Sequence, residues 1–334
     1  MLAQTIQSLQ LGHYLTNRQS QDMLNNMLDR DCPSEQIAGC MILLNQQLDN
    51  SAMLTGIAQA MRSHMKSVTV AGSVMDVVGT GGDGADTVNI STGTALLLAA
   101  CGVKVAKHGN RAVSSACGSA DVLQNLGCSI EQSPQQIAQA IQVHGFGFCY
   151  APYFHHALQH LKAIRRSLAV PTVFNLMGPL LNPAGADHLM IGVHSEHLLE
   201  PFAQTLAHLP ISRALVFHSG GLDELSCAAA ATAYRIEGKV IQPLTLDAQD
   251  VGLPRCSLSD LTGGDADYNA QLIRQALAGE HTAIAHTLMF NAGVGLHLYG
   301  VTGTIAEGVG YARHIINKGQ ALQLLSQLTN RKVS

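Results

Sequence analysis

The chain of 334 residues is long enough for one large core and a smaller satellite, so two domains are expected. Hydrophobic residues at 47% against 13% charged exclude a disordered chain, and a net charge of −4 without any Lys/Arg-rich run excludes a nucleic-acid binder that works through a basic face. Met1-Leu2-Ala3-Gln4 is not a basic segment leading into an apolar one, and no apolar run reaches membrane-spanning length, so a soluble, cytoplasmic protein with no membrane partner is expected.

Residues up to about 66 carry helical periodicity and no strand signal. Ser20 is the expected cap of a helix in which Met23, Leu24, Met27 and Leu28 recur at four-residue spacing. Pro33-Ser34-Glu35 opens a second helix with the stripe Ile37, Met41, Leu44 and Leu48, and Leu54, Ile57 and Met61 mark a third. From Val68 the pattern becomes alternating strands and helices. The β-branched run Val74, Val77 and Val78 leads into Gly79-Thr80-Gly81-Gly82-Asp83-Gly84, and an apolar helical run follows from Ala95 to Cys101. Four glycines in six residues allow positive φ and close backbone approach, so successive N–H groups can converge on one anion. Asn89, Ser91 and Thr92 stand where that helix starts, placed to cap it or to turn toward a ligand or metal.

The same loop satisfies G-x-G-x-x-G, the dinucleotide spacing, but no acidic ribose ligand follows about twenty residues later. Instead the strand expected at Val103–Ala106 ends in Lys107, His108 and Arg111. That chemistry is cationic, and it disfavours NAD. A helix is expected from Ser119, its cap, to Leu126, stopped by Gly127, and Ser133-Pro134-Gln135-Gln136 opens another that turns Ile137 and Ile141 inward. After a strand at Phe146–Tyr150, residues 153 to 169 read as helix and carry Lys162, Arg165 and Arg166. Val170–Pro183, rich in proline, reads as a crossing between domains. Strands resume at Leu189–Val193 and Arg213–Phe217, the second leading into Gly221-Leu222-Asp223-Glu224. Thr232–Leu246 reads as a hairpin turning at Glu237-Gly238, hence an antiparallel edge, and the chain is helical from Asn269, with Ile305–Leu328 as its last stretch.

The fold class is therefore α/β: a small all-helical domain plus a large domain with a mostly parallel sheet, covered by helices and carrying one antiparallel addition. The eight cysteines show no C-x-x-C pair or zinc-ligand spacing, and His156 and His160, though four apart, lack an H-E-x-x-H context. Backbone donors at 79 to 92, cations at 107 to 111 and the carboxylates Asp223 and Glu224 all fall at strand ends. Carboxylates beside a phosphate site require a hard cation between them, and Mg²⁺ is the expected one.

GTGGDG (79 to 84), NIST (89 to 92), KHGNR (107 to 111), the serine pair Ser114-Ser115 with GSADVL (118 to 123), FGF (146 to 148), IRR (164 to 166), FNLMGPLLNP (174 to 183) and GLDE (221 to 224) run in one order along nearly the whole chain. In these words the sequence resembles the anthranilate phosphoribosyltransferase family, of nucleoside-phosphorylase-like fold. The resemblance implies a homodimer and two domains with the substrates at their hinge. One is helical, residues 1–68 with about 154–186, and forms the dimer interface; the other comprises 69–153 and 187–334. It implies transfer of phosphoribosyl from phosphoribosyl pyrophosphate to the amino group of anthranilate, the second step of tryptophan biosynthesis. Gly79, Gly82, Asp83, Thr87, Asn89, Ile90, Ser91, Thr92, Lys107, Ser115 and Ser119 would hold phosphoribosyl pyrophosphate. Gly79, His108, Asn110 and Arg165 would line the path of anthranilate, and Ser91, Asp223 and Glu224 would hold Mg²⁺. No residue is assigned as a general acid or base, because an arylamine is already neutral at pH 7. The rival readings are an enzyme with another aromatic acceptor, a pyrimidine nucleoside phosphorylase, which would not require Mg²⁺, and a non-catalytic nucleic-acid-binding paralogue.

Overall fold

The computed structural model describes residues 2–112, 116–280 and 282–329, so the expected ligand Ser115 and its neighbour Ser114 lie outside the described residues. The apolar stripes of the N-terminal segment fold as α1 (Leu2–Gln10), α2 (Asn17–Leu28), α3 (Ser34–Leu44) and α4 (Ser51–Ser63). The cap of α2 is Thr16 rather than Ser20. Thr16 Oγ1 accepts from the Gln19 N–H while the Gln19 side chain accepts from the Thr16 N–H, closing a capping box. Ser20 is a buried residue one turn inside the helix, donating to the Thr16 carbonyl at 2.9 Å.

Seven strands form one sheet: β1 (Met75–Gly79), β2 (Val105–Gly109), β3 (Phe146–Tyr150), β4 (His188–Gly192), β5 (Arg213–Ser219), β6 (Ala231–Glu237) and β7 (Val240–Leu246), in the order β3-β2-β1-β4-β5-β6-β7. All pairings from β3 to β5 are parallel, and the β6–β7 hairpin adds antiparallel to β5. The chain leaves β1 toward β2 on one side and later returns to place β4 on the other. Loops that follow β1 and β4 therefore diverge, and the crevice at such a switch point is where open α/β sheets bind ligands.

Strand alternation sorts the core into two faces. Met75, Val77, Val105, Phe148, Met190 and Leu215 pack on one face, beneath α5 (Ile90–Ala100), α6 (Ser119–Leu126) and four C-terminal helices, 266–277, 282–299, 305–317 and 320–328. On the other face Leu189, Ile191, Ala214 and Val216 join the buried stripes of α1 to α4 in one continuous apolar cluster. Ala106 and Cys149 face the same way farther along, packed on Ile137 and Ile141 of α7 (Pro134–His144) and on Phe154. The N-terminal helices thus share their core with the sheet.

Several expected boundaries shift. The second strand is Val105–Gly109 rather than Val103–Ala106, so Lys107 and His108 lie within it and point to opposite faces. Gly118, not Ser119, occupies the cap of α6, where a side chain would collide with the Arg111–Ala112 backbone. Residues 153 to 169 are interrupted: α8 (Ala151–Phe154) and α9 (Gln159–Leu168) are joined by a single 3₁₀ turn. The last helical stretch breaks at Gly319, which takes φ +70°.

Candidate active site

Gly81, Gly82 and Gly84 adopt φ of 70°, 89° and 69°, so the loop after β1 has the left-handed backbone its composition implied. It lies between two partners. On one side the Thr80 N–H donates to the Gly192 carbonyl at 3.0 Å, tying the loop to β4. On the other, the turn after β5 delivers Asp223 and Glu224. The Gly81 N–H donates to Asp223 Oδ2 at 2.6 Å, and the Ser91 N–H, in the first turn of α5, donates to Glu224 Oε1 at 3.0 Å. The two carboxylates therefore stand in for the oxygens of an anionic ligand at a glycine loop and a helix N-terminus. Glycine is required twice here, since a methyl at Gly79 would collide with the Asp223 carboxylate and one at Gly192 with the Asp223 backbone.

Asp223 and Glu224 are only 7% and 9% exposed, and burial raises the pKa of both above the usual carboxylate range. Asp83 adds repulsion to each. Two neighbouring buried carboxylates, with the Ser91 side chain beside Glu224, form a hard-oxygen donor set short of positive charge, which suits Mg²⁺. Among the described residues no group of three or more His, Cys, Asp or Glu side chains converges as a complete metal cage.

Beneath this cluster Lys107 is 1% exposed, its Nζ donating to the Val77 carbonyl at 2.7 Å and to Ser91 Oγ at 3.2 Å. Burial lowers its pKa, while Asp76 and Glu224 oppose that shift. Asp76, fully buried in β1, accepts from Asn182 Nδ2 at 2.7 Å and from the His108 N–H at 3.2 Å. Burial pushes its carboxyl up to about 6, against the pull of Lys107.

His108, on the opposite face of β2, is 4% exposed. Its Nδ1 lies 3.1 Å from the Gly178 carbonyl and its Nε2 lies 3.2 Å from Nε2 of His155. Arg165, half-buried on α9, donates to Asn175 Oδ1 at 2.9 Å and sits 5.9 Å from the Phe174 ring centroid. Asn175 and Gly178 belong to one short stretch, so the crossing segment carries both the Arg165 and the His108 contacts.

A family model described as glycosyl transferase family, a/b domain matches residues 71–322. An anthranilate phosphoribosyltransferase of Chlamydia caviae is 39% identical over 98% of this chain and 95% of its own length. One from Desulforamulus reducens is 38% identical, covering 98% and 96%. The chain belongs to the anthranilate phosphoribosyltransferase family. Among solved structures, the anthranilate phosphoribosyltransferase of Thermus thermophilus superposes with a TM-score of 0.90 at 38% identity, over 97% of this chain and 98% of that one. The Saccharomyces cerevisiae enzyme in complex with PRPP and Mg gives 0.90 at 26%, over 98% and 97%.

Most of the residues that the family's motifs pick out gather around the crevice. Gly79, Gly82, Asp83, Ser91, Thr92 and Lys107 surround the β1 loop and the start of α5, and Thr92 Oγ1 is buried without a hydrogen-bond partner among the described residues. Thr87 pairs with Thr262 in an isolated bridge. Asn89 stands at the cap position of α5 but makes no side-chain cap bond; its Nδ2 donates to the Cys117 carbonyl at 3.0 Å and its Oδ1 accepts from Asn269 Nδ2 at 3.0 Å, clasping three segments. The Ile90 side chain is buried in the core, leaving only its backbone toward the loop. Ser119 Oγ donates to the Asn110 carbonyl at 3.3 Å, and Asn110 is exposed. Arg111, expected among the converging cations, is instead exposed and paired with Asp121 at 2.7 Å. His156 and His160 do not act together: His160 Nε2 contacts the Met27 carbonyl at 2.7 Å, and His156 lies in the turn before α9.

Sequence reasoning missed Asp76, Asn182, His155 and His194. A charged residue inside the apolar run 74 to 78 was a signal for Asp76, whereas nothing local marked His155. His194, after β4, holds the glycine loop through Thr80, whose Oγ1 lies 3.1 Å from its Nδ1.

Proposed function

We infer that this chain transfers the phosphoribosyl group of phosphoribosyl pyrophosphate to the amino group of anthranilate, releasing pyrophosphate, with Mg²⁺ as its cofactor. The observation that carries this reading is the pairing of Asp223 with the Gly81 N–H and of Glu224 with the Ser91 N–H. Donors already aimed at carboxylate oxygens are pre-organised for phosphate oxygens, and the acidic neighbours stand within reach of the same ligand. Gly79, Gly82, Asp83, Thr87, Asn89, Ile90, Ser91, Thr92, Lys107, Ser115 and Ser119 are assigned to phosphoribosyl pyrophosphate. The Thr92 hydroxyl, buried without a partner among the described residues, supports its place in that set.

As the bond from ribose C1 to diphosphate breaks, negative charge grows on the leaving oxygen. The Gly81 and Ser91 N–H groups and the Lys107 ammonium oppose that charge, and such donors are each worth about 10²–10³ in turnover. Ser91, Asp223 and Glu224 would hold Mg²⁺, which would supply further neutralisation of charge on the diphosphate. Across β2, Arg165 offers its planar fork to the anthranilate carboxylate, while Gly79, His108 and Asn110 line the approach. The amine is neutral and needs no strong base, so positioning of the two substrates carries the rest.

The helical part, 1–68 with about 154–186, is assigned as one domain that closes on 69–153 and 187–334 over the substrates. It is also assigned as the interface of a homodimer, a reading supported by Leu11 and Ile42, which are 73% and 40% exposed there. The cytoplasm is the compartment assigned. Loss of anthranilate fluorescence on mixing with phosphoribosyl pyrophosphate, with and without Mg²⁺, tests the activity. Turnover only in the complete mixture is expected, and its absence there would defeat the assignment.

A further inference from the structure

The segment between the glycine loop and α5 is held by residues distant in the sequence. The Val88 N–H donates to the Leu261 carbonyl at 2.9 Å and the Gly263 N–H to the Asp86 carbonyl at 2.8 Å, an antiparallel ladder that pairs Thr87 with Thr262. The approach is close enough that a methyl at Gly263 would collide with the Thr87 carbonyl, the Val88 nitrogen and the Asn269 side chain. Asp86 takes φ +48°, a left-handed backbone that a non-glycine residue keeps only where its surroundings hold it.

Asn269, in the first turn of the helix 266–277, is 1% exposed and joins this ladder to a second loop. Its Oδ1 accepts from the Gly264 N–H at 2.8 Å, its Nδ2 donates to Asn89 Oδ1 at 3.0 Å, and Asn89 Nδ2 donates to the Cys117 carbonyl at 3.0 Å. The run begins at an N–H, which only donates, and ends at a carbonyl, which only accepts. Both amides are therefore locked in one orientation, because turning either over sets donor against donor or acceptor against acceptor. So held, Asn89 keeps one N–H and one lone pair for a ligand.

We propose that Asn269 is a positioning residue for phosphoribosyl pyrophosphate, acting through Asn89. Its directed run of amide hydrogen bonds sets the Asn89 side chain and ties the segment that carries Thr87 and Asn89 to the one that leads through Cys117 to Ser119. The effect belongs to one substrate. Anthranilate is assigned to residues across β2, where His108 and Arg165 take their partners from Gly178, His155 and Asn175.

The inference rests on the assignment of Thr87, Asn89 and Ser119 to phosphoribosyl pyrophosphate. In Asn269→Ala the KM for that substrate should rise roughly tenfold, while kcat and the KM for anthranilate stay within about twofold. At pH 8 Asn269→Asp fills the same space and keeps an acceptor for the Gly264 N–H, but its carboxylate meets Asn89 Oδ1 oxygen to oxygen. It should be impaired at least as much as Asn269→Ala. A residue that only fills space would leave Asn269→Asp close to the unsubstituted chain; that result, or equal rises in both KM values, overturns the proposal. The double variant Asn89→Ala with Asn269→Ala should bind phosphoribosyl pyrophosphate no worse than Asn89→Ala alone, and losses that multiply also overturn it. Urea unfolding of the two single variants and the double, without ligand, should show the same lack of additivity. If calorimetry of the unsubstituted chain with Mg²⁺ shows no heat on adding phosphoribosyl pyrophosphate, the assigned function fails, while the ligand-free unfolding still decides whether Asn269 holds Asn89.

Discussion

The two faces of β2 carry the two halves of the proposed site, and they solve opposite problems. On one, Lys107 is a buried cation bonded to the Val77 carbonyl and Ser91 Oγ, under the charge of Glu224 and, from the other face of the sheet, that of Asp76. On the other, one residue later, His108 is a buried ring kept uncharged among carbonyls and another imidazole. Strand alternation alone separates them. The lesson is that a single dipeptide places an ionic environment, suited to diphosphate and metal, back to back with a neutral one, suited to an aromatic acid.

Lys107→Met should break the ionic half most severely. Removing one partner from a buried charge cluster leaves Asp76 and Glu224 uncompensated, a loss of about 3–5 kcal/mol in urea unfolding, with turnover down about 10²-fold or more. Adding Asp76→Asn should return part of that stability, and a double variant no more stable than the single would separate the two charges. Next in size is Gly79→Ala. Its methyl would displace the Asp223 carboxylate, and misplacement on that scale costs about 10²-fold in kcat/KM, with stability the smaller change. A variant of ordinary activity would show that Asp223 need not stand where it does.

The neutral half should show itself in acid. His108 and His155 have folded pKa values depressed from 6.5 to about 3 and about 4, so the unfolded chain binds more protons from those folded values up to the ordinary 6.5. Their stabilising effect is full above pH 6.5 and is lost as the pH falls toward 4. Asp76 works in the other direction, since its carboxyl, raised to about 6, favours the folded state more as pH drops below that value. Replacing His155 by Gln removes one histidine from the balance. The stability lost between pH 7 and pH 5 should then shrink by roughly 1–2 kcal/mol, read from urea unfolding at each pH. An unchanged acid limb would mean the ring is not held neutral.

Much of this arrangement could be read before any coordinates, because its signals are local. Ser133, Pro134 and Gln136 form the expected capped start of α7, and the turn at Glu237-Gly238 joins β6 to β7 as composition implied. The glycine loop and GLDE were visible as words. What escaped depends on register and burial. Thr16 and Ser20 are two hydroxyls four residues apart, and only the packing of α2 decides which is buried and which caps. Asp76 receives the His108 N–H because β1 and β2 align Met75 with Val105, and His155 meets His108 from the end of α8, the helix that follows β3. Arg111 looked like one of a group of cations until α6 placed Asp121 beside it.

Arg165 provides the finest separation of the two halves, because it belongs to the neutral one yet carries a charge. Its guanidinium is half-buried, bonded to Asn175 at 2.9 Å and set over Phe174, so its free donors are oriented before any ligand arrives. If it binds the anthranilate carboxylate, Arg165→Ala removes binding that ground state and transition state share. KM for anthranilate should then rise about tenfold, while kcat and the KM for phosphoribosyl pyrophosphate change little. Arg165→Lys should recover only part of the loss, since an ammonium keeps the charge but not the fork. A fall in kcat at unchanged anthranilate KM would place Arg165 instead with the residues that act on the departing diphosphate, and the division along β2 would not hold.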